Sequence, residues 1–255
     1  MTSGDDTGRR GVRAVDRALD LLSAFSTAHP RLSLSELAEA AGLPRASAHR
    51  IAATLVERGF LRQDPDGAYL LGVRLLELGS QVSQTSAVTH LTQQAADELH
   101  RLTGETVLIA EVDWDALSYV ITGKREGRRP LALASPVGRR SALASGVLAK
   151  AALLGLPPES VAAVVPRLRL VPRTTRTIVE PDRLRAAVEA SRQRGYAVQY
   201  GEYLLGVAGV AAPVSIAGRV AGVLAVIGAA SRLPPRRLDE TGQQILQVLA
   251  RLQPV

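Results

Sequence analysis

The stretch LSELAEAAGLPRASAHRIAATLVERGFLRQDPDGAYLLG, from Leu34 to Gly72, decides how the first part of this chain is read. Ser35 suits a helix N-cap, and Leu37, Ala38 and Ala41 give the helix after it an apolar stripe. Gly42 supplies the left-handed backbone that ends it. Pro44 suits the first turn of a second helix, where its missing N–H costs nothing. At about 100° per residue, that helix turns Ala48, Ile51 and Leu55 to one side. Arg45, Ala46, His49 and Ala53 point the other way, with Arg50 on the flank. Gly59 closes the helix. Phe60 to Arg62 and Ala68 to Leu71 read as strands around Asp64-Pro65-Asp66-Gly67, where Asp-Gly is a strong hairpin signal. Helix, Gly turn, helix and hairpin in that order predict a winged helix-turn-helix, a device that sets one helix in the DNA major groove.

The outward residues of the second helix suit that task. An Arg can bond two acceptors on a guanine edge or clamp a phosphate, Ser and His can bond either, and exposed Ala lets the helix approach closely. Arg45, Ser47, His49 and Arg50 are therefore the candidate DNA contacts, joined by Arg62 on the hairpin and by Arg13 and Arg17 near the start of the chain. Each arginine taken singly reads equally well as a solvated helix charge, and His49 as a packing neighbour; the order of the elements favours DNA.

Of the 255 residues 46% are hydrophobic, enough for this small unit and a second, larger one, although only 3% are aromatic. With no cysteine, disulfides, zinc-thiolate sites and thiol catalysis are excluded. Met1 to Gly11 is a polar, charged tail, expected to be disordered, with no apolar run of a signal peptide. No segment approaches the length of a transmembrane helix, so a cytoplasmic protein without a membrane partner is expected. The formal net charge of +7 is not the argument for DNA: residues 1–89 hold 10 Arg against 10 Asp and Glu, so the whole excess lies beyond them. Local placement of Arg45, Arg50 and Arg62 carries the argument instead.

Val12 to Ala28 reads as a first helix, with Val15, Ala18, Leu19, Leu22 and Phe25 packing on Ile51 and Leu55. Val73 to Leu102 is helical with a polar interruption at Ser83 to Ser86. Strands follow at Thr106 to Val112 and Leu117 to Thr122, then an Arg-, Gly- and Pro-rich loop from Gly123 to Arg140. Helices are expected over Ala144 to Leu156, Pro181 to Arg194 and Pro234 to Leu252, and strands over Tyr196 to Tyr200, Val207 to Ile216 and Arg219 to Gly228. Strands, a helical insertion and strands again predict an α+β unit with an antiparallel sheet. The organisation expected is a tail over 1–11, a winged domain over 12–74, a linker helix over 75–88 and a second domain over 89–255.

The chain resembles the IclR-type transcriptional regulators over about residues 12–252. The likeness is carried by Arg13-Ala14-Val15-Asp16-Arg17-Ala18-Leu19, Leu34-Ser35-Glu36-Leu37-Ala38 and Gly42-Leu43-Pro44-Arg45 leading to His49-Arg50. Further on it is carried by Arg176-Thr177-Ile178-Val179, Arg194-Gly195-Tyr196-Ala197, Gly201-Glu202-Tyr203, Gly206-Val207, Ala211-Ala212-Pro213-Val214 and Ser231-Arg232-Leu233. The resemblance implies a winged helix-turn-helix, a dimerising linker helix and a GAF-like effector domain. It also implies double-stranded operator DNA and a small organic effector as partners, a homodimer or dimer of dimers, repression as the commoner outcome, and neither metal nor cofactor.

By that resemblance the effector site falls on Ser145 and Gly146, Gln199, Glu202, Gly209, Ala225 and Ile227. Here the chain departs from the family: Gln199, Gly209, Ala225 and Ile227 stand where polar groups are common. Desolvating a small anion needs compensation, so a larger, more apolar effector is expected, or none. Ser145 and Gly146 open a helix whose free N–H groups suit an anion. Arg125, Arg128 and Arg129 on the preceding loop could bind an acid or stay solvated, and Glu202 could line the pocket or lie on the surface. An enzyme is the first rival, but no Gly-x-Ser-x-Gly elbow, phosphate-binding Gly loop or His-Glu-x-x-His occurs, and His29, His49, His90 and His100 are scattered. A ligand-blind DNA-binding protein and a protein-interaction module are the other rivals.

Overall fold

The computed structural model describes residues 12–26, 28–129 and 135–252, so the expected 1–11 tail lies outside the described residues. The chain divides into two compact units, 1–82 and 83–255.

In the first unit α1 (Arg13–Ser23), α2 (Leu34–Ala40) and α3 (Arg45–Glu57) precede a hairpin of β1 (Leu61–Gln63) and β2 (Tyr69–Leu71). The N-cap of α2 is Ser33, not Ser35. Its hydroxyl accepts from the Glu36 N–H (3.3 Å) while the Glu36 carboxylate accepts from the Ser33 N–H (2.7 Å). Only Ser33 has a carboxylate three residues on; a cap at Ser35 would face Ala38, which cannot return the bond. Pro44 sits at the N-cap of α3, one residue earlier than expected.

The core of this unit gathers Leu21, Leu32, Leu37, Ala48, Ala52, Leu55, Leu61 and Tyr69. Ala52 takes the innermost place on α3 and Ile51 is only half-buried. α1 is shorter than expected and presents Leu21, fully buried, rather than Val15 and Leu19, which remain 53% and 55% exposed. Its apolar arc is wider than the side this unit covers. Gly42 and Gly59 both take positive φ, as the turns demand. Asp64 Oδ1 accepts from the N–H groups of Asp66 and Ala68 (3.0 Å each), shaping the hairpin turn. Arg31 ties that turn down by pairing with both Asp64 and Asp66.

α4 (Val73–Thr85) ends one residue before Ser86, so a linker helix does not run unbroken over 75–88. The Ser86 hydroxyl caps α5 (Ala87–Thr103), accepting from the Thr89 N–H at 3.0 Å. The second unit then builds β3 (Thr106–Asp113), β4 (Ser118–Arg125), β5 (Arg140–Ala142), α6 (Gly146–Leu154), α7 (Pro158–Val164), a 3₁₀ turn (Val165–Arg167), α8 (Pro181–Arg194), β6 (Ala197–Tyr200), β7 (Val207–Ile216), β8 (Arg219–Ala229) and α9 (Pro235–Leu249). Its strands form one antiparallel six-stranded sheet in the order β5-β4-β3-β8-β7-β6.

Both faces of that sheet are covered, and strand alternation divides the two cores. Val107 and Ile109 with Leu224 and Val226 meet α5 and α9, while Leu108 and Ala110 with Val223 and Ala225 meet α6. The expected loop from Gly123 to Arg140 is partly sheet, since β4 runs on through Arg125 and Arg140 opens β5. Arg125 is held there by a carboxylate on α5, that of Asp97. α7 had no counterpart in the sequence pattern: it is too short to show a period, and its signal is Pro158 at its start.

Candidate nucleic-acid interface and ligand pocket

α3 turns Ala48 and Ala52, each fully buried, toward the first core and leaves Arg45, Ala46, His49, Arg50 and Ala53 exposed. Ser47 is half-buried at the edge of that face. Between α1 and α3 runs a groove of about 360 Å³ whose walls include Arg17, Ser47 and Arg50. Arg45 and His49 share the open face of α3 but do not line the groove, nor does Arg13, which is exposed on α1. Arg62 is exposed on β1.

These arginines, like Arg58 at the end of α3, differ from Arg31 and Arg74 in their counter-charges. Arg31 and Arg74 are satisfied by Asp64, Asp66 and Glu77. Among the described residues, none of Arg13, Arg17, Arg45, Arg50 and Arg62 has a carboxylate partner. Guanidiniums on an open helix face with no internal counter-charge keep their donors for a ligand, and a polyanion is the ligand that rewards several at once.

In the second unit a small cavity lies between the sheet and the start of α6. Its wall takes Leu108 from β3, Tyr119 and Ile121 from β4, Ser135, Arg139 and Ser141 from the approach to α6, and Ser145 to Leu148 from the start of that helix. Gln199, Tyr203, Val207 and Ile227 complete it. The cavity volume is about 20 Å³, on the scale of one water. Gly146 has φ +80, and a Cβ there would stand 3.2 Å from the Tyr203 ring and 3.4 Å from Gln199 Oε1. Glycine at this position therefore satisfies the turn and leaves room for the tyrosine. The Ser145 hydroxyl makes no cap hydrogen bond to its own helix.

Four of the sequence-derived effector residues, Ser145, Gly146, Gln199 and Ile227, are brought together here; Glu202, Gly209 and Ala225 are not on the wall. Glu202 instead accepts a bond of 2.6 Å from Lys150 Nζ, which also donates to the Val198 carbonyl at 2.6 Å. Burial pulls the Lys150 ammonium below its ordinary pKa, and the Glu202 carboxylate opposes that shift. Gly209 lets β7 lie close under α6: a Cβ there would meet Ile227 at 3.3 Å and Val147 at 3.4 Å. Ala225 is core. Arg125 is occupied by Asp97, and Arg125, Arg128 and Arg129 are all off the wall.

The wall holds polar side chains beyond those in residues 197–228, although most of its exposed surface is apolar, as expected. Tyr119, Arg139 and Ser141 are not among the expected site residues because they come from the β4–β5 edge, far along the chain from β6 to β8, while Tyr203 stood in the sequence only as part of the Gly201-Glu202-Tyr203 likeness. A usable signal was Tyr119, one of only five tyrosines, beside Val120 and Ile121 in the first half of β4. Burial pushes its phenol up to about 12, with the Tyr203 phenol adding to the rise and Ser141, Arg173 and Arg139 opposing it. It is a neutral hydroxyl at physiological pH. Arg173 stacks over the outer side of Tyr203, 4.3 Å from the ring centre.

The chain matches two family models: "IclR helix-turn-helix domain" over residues 14–65 and "Bacterial transcriptional regulator IclR C-terminal" over residues 80–252. It is 34% identical over 234 residues to the HTH-type transcriptional regulator KipR of Bacillus subtilis, covering 91% of this chain and 92% of that protein. It is 27% identical to the transcriptional repressor IclR of Escherichia coli, covering 92% of this chain and 87% of that one. An IclR homolog from Microbacterium hydrocarbonoxydans, solved in complex with 4-hydroxybenzoate, shares the fold with a TM-score of 0.75 at 20% identity, covering 93% of this chain and 99% of that one. No helix among the described residues is long and apolar enough to cross a membrane.

Proposed function

The chain belongs to the IclR family of DNA-binding transcriptional regulators, which are not enzymes, and from that premise we propose how its own residues do the work. α3 enters the major groove of an operator. Arg45, His49 and Arg50 reach bases and phosphates, and Ser47 and Arg17 hold the near backbone from the α1–α3 groove. Arg62 on the hairpin and Arg13 on α1 reach flanking phosphates. The observation that carries this reading is the absence of carboxylate partners for these arginines among the described residues.

Residues 12–74 act as the DNA-binding domain, 75–88 as the linker and 89–255 as the effector domain of a cytoplasmic repressor. Val12, Val15 and Leu19 on or beside α1 and Val73, Leu76 and Val82 on α4 are all more than half exposed, which supports a homodimer. Two recognition helices would then read half-sites about one helical turn apart or a multiple of it.

Ser145, Gly146, Gln199 and Ile227 contact the effector, together with Tyr119, Arg139, Ser141 and Tyr203. With two phenols, three serine hydroxyls and the Gln199 amide set among aliphatic side chains, the wall suits a compact, largely apolar organic molecule with a hydrogen-bonding end. Its binding shifts DNA affinity only as far as it favours one state of the protein over the other.

The test is fluorescence anisotropy of the full chain on the DNA upstream of its own gene, against scrambled DNA, over a salt series. Selective binding that weakens with salt is expected. Equal binding to both DNAs, on that fragment and on genome-selected fragments, would overturn the reading.

A further inference from the structure

The loop after β6, residues 201–206, is fastened from two sides. Inside, Glu202 takes the bond from buried Lys150, only 5% exposed in its side chain, and the Tyr203 N–H donates to the buried Gln199 Oε1 at 3.2 Å. Outside, a strap before α8 holds the same loop. Thr174 Oγ1 donates to the Gly201 carbonyl and Thr177 Oγ1 to the Glu202 carbonyl, 2.7 Å each, while Arg173 covers the Tyr203 ring. Gly201 and Gly206 bound the loop at φ +75, where backbone rotation is least hindered. Between them Tyr203 contributes its ring to the cavity wall, against Gly146. With Tyr203 in this position the cavity, of about 20 Å³, holds nothing larger than a water.

We propose that Tyr203 controls entry to the pocket, carried on residues 201–206 as a gate that Lys150 fastens from within and Thr174 and Thr177 fasten from without. This rests on reading the cavity as the effector site. Effector access then requires residues 201–206 to move, which loosening either fastening eases, and the same movement pulls on Lys150, in the middle of α6. The gate thereby links occupancy of the pocket to the position of the helix that forms its floor. Thr174, Thr177 and Lys150 are positioning residues, and Tyr203 is the one that meets the ligand.

The chain contains no cysteine, so a single introduced thiol reports on the pocket alone. Val147→Cys places one on the cavity wall, 2% exposed at the native side chain. Val226→Cys places one in the core on the opposite face of the sheet, and Ser231→Cys one on the surface. Modification of the full-length protein by methyl methanethiosulfonate is followed by mass. The Val147→Cys thiol is expected to react far more slowly than the surface thiol. Adding either Tyr203→Ala or the Thr174→Val/Thr177→Val pair should raise its rate by roughly tenfold or more, with the Val226→Cys thiol still protected. A Val147→Cys thiol as fast as the surface one would overturn the gate. So would a rate indifferent to both openings, or equal acceleration at Val226→Cys, which would mean general loosening. No effector enters this experiment. A gate that opens as described in a protein whose DNA affinity answers to no organic acid would leave the gate standing and defeat the effector reading, and the converse result would do the reverse.

Discussion

Arg31, Gly146 and Tyr119 carry separable consequences. Arg31 holds Asp64 and Asp66 at the turn of the hairpin. Two carboxylates at the tip of a DNA-facing wing repel phosphate, and Arg31 offsets half of that charge, so Arg31→Ala should weaken operator binding several-fold with little change in Tm. Further replacing Asp66, whose side chain is 80% exposed, with Asn should recover part of the loss; titrations of the two variants on one operator check it. Gly146→Ala forces a side chain into a left-handed backbone against Tyr203 and should cost about 1–2 kcal/mol in denaturant unfolding. Tyr119 has a folded pKa of about 12 against 10.0 unfolded. A raised folded value means stability is intact below pH 10 and is lost as the pH climbs through 12, by on the order of 2 kcal/mol. Tyr119→Phe should flatten that alkaline slope in urea unfolding measured between pH 9 and 12; an unaltered slope would place its cause elsewhere.

At the scale of elements, α1 shows one helix with two duties. Leu21 is fully buried, so Leu21→Ala should destabilise the first unit by about 2–5 kcal/mol. Val15 and Leu19 are more than half exposed, and replacing both with Ser should leave unfolding unchanged while shifting sedimentation toward monomer. Elements with strong local signals were legible in the sequence: the Asp-Gly hairpin, α8 with Pro181 at its start, and β7 from Val207 to Ile216. The side of α3 left open was legible too, because 3.6-residue periodicity assigns faces without knowledge of partners. The inner side of α1 was not. Its apolar residues span more than one face, and only tertiary packing selects Leu21 over Val15. The cap at Ser33 is legible as Ser-x-x-Glu, a stronger signal than the nearer Ser35, which has no carboxylate three residues on. Half of the pocket was out of reach for a different reason: sheet order places β4 and β5 beyond β3, and register across such separations leaves no local mark.

For the whole molecule, net charge and DNA recognition are separate properties. The excess of +7 lies entirely beyond residue 89, while the first unit is balanced and carries the candidate DNA-contacting arginines on α1, α3 and β1, without carboxylate partners among the described residues. Binding should therefore depend on a few named side chains rather than on the overall field. In the same way, the proposed effector cavity sets a few polar side chains, from β4, β5, β6 and the loops beside them, into a largely apolar wall. The measurement that tests the central claim most directly is operator affinity against salt for Arg45→Ala/Arg50→Ala beside the unaltered protein, with sedimentation run on both. The account predicts an unchanged oligomeric state, at least tenfold weaker operator binding, and a slope of log affinity on log salt shallower by about one for each phosphate contact removed. Unchanged affinity and unchanged slope in the double variant would contradict it.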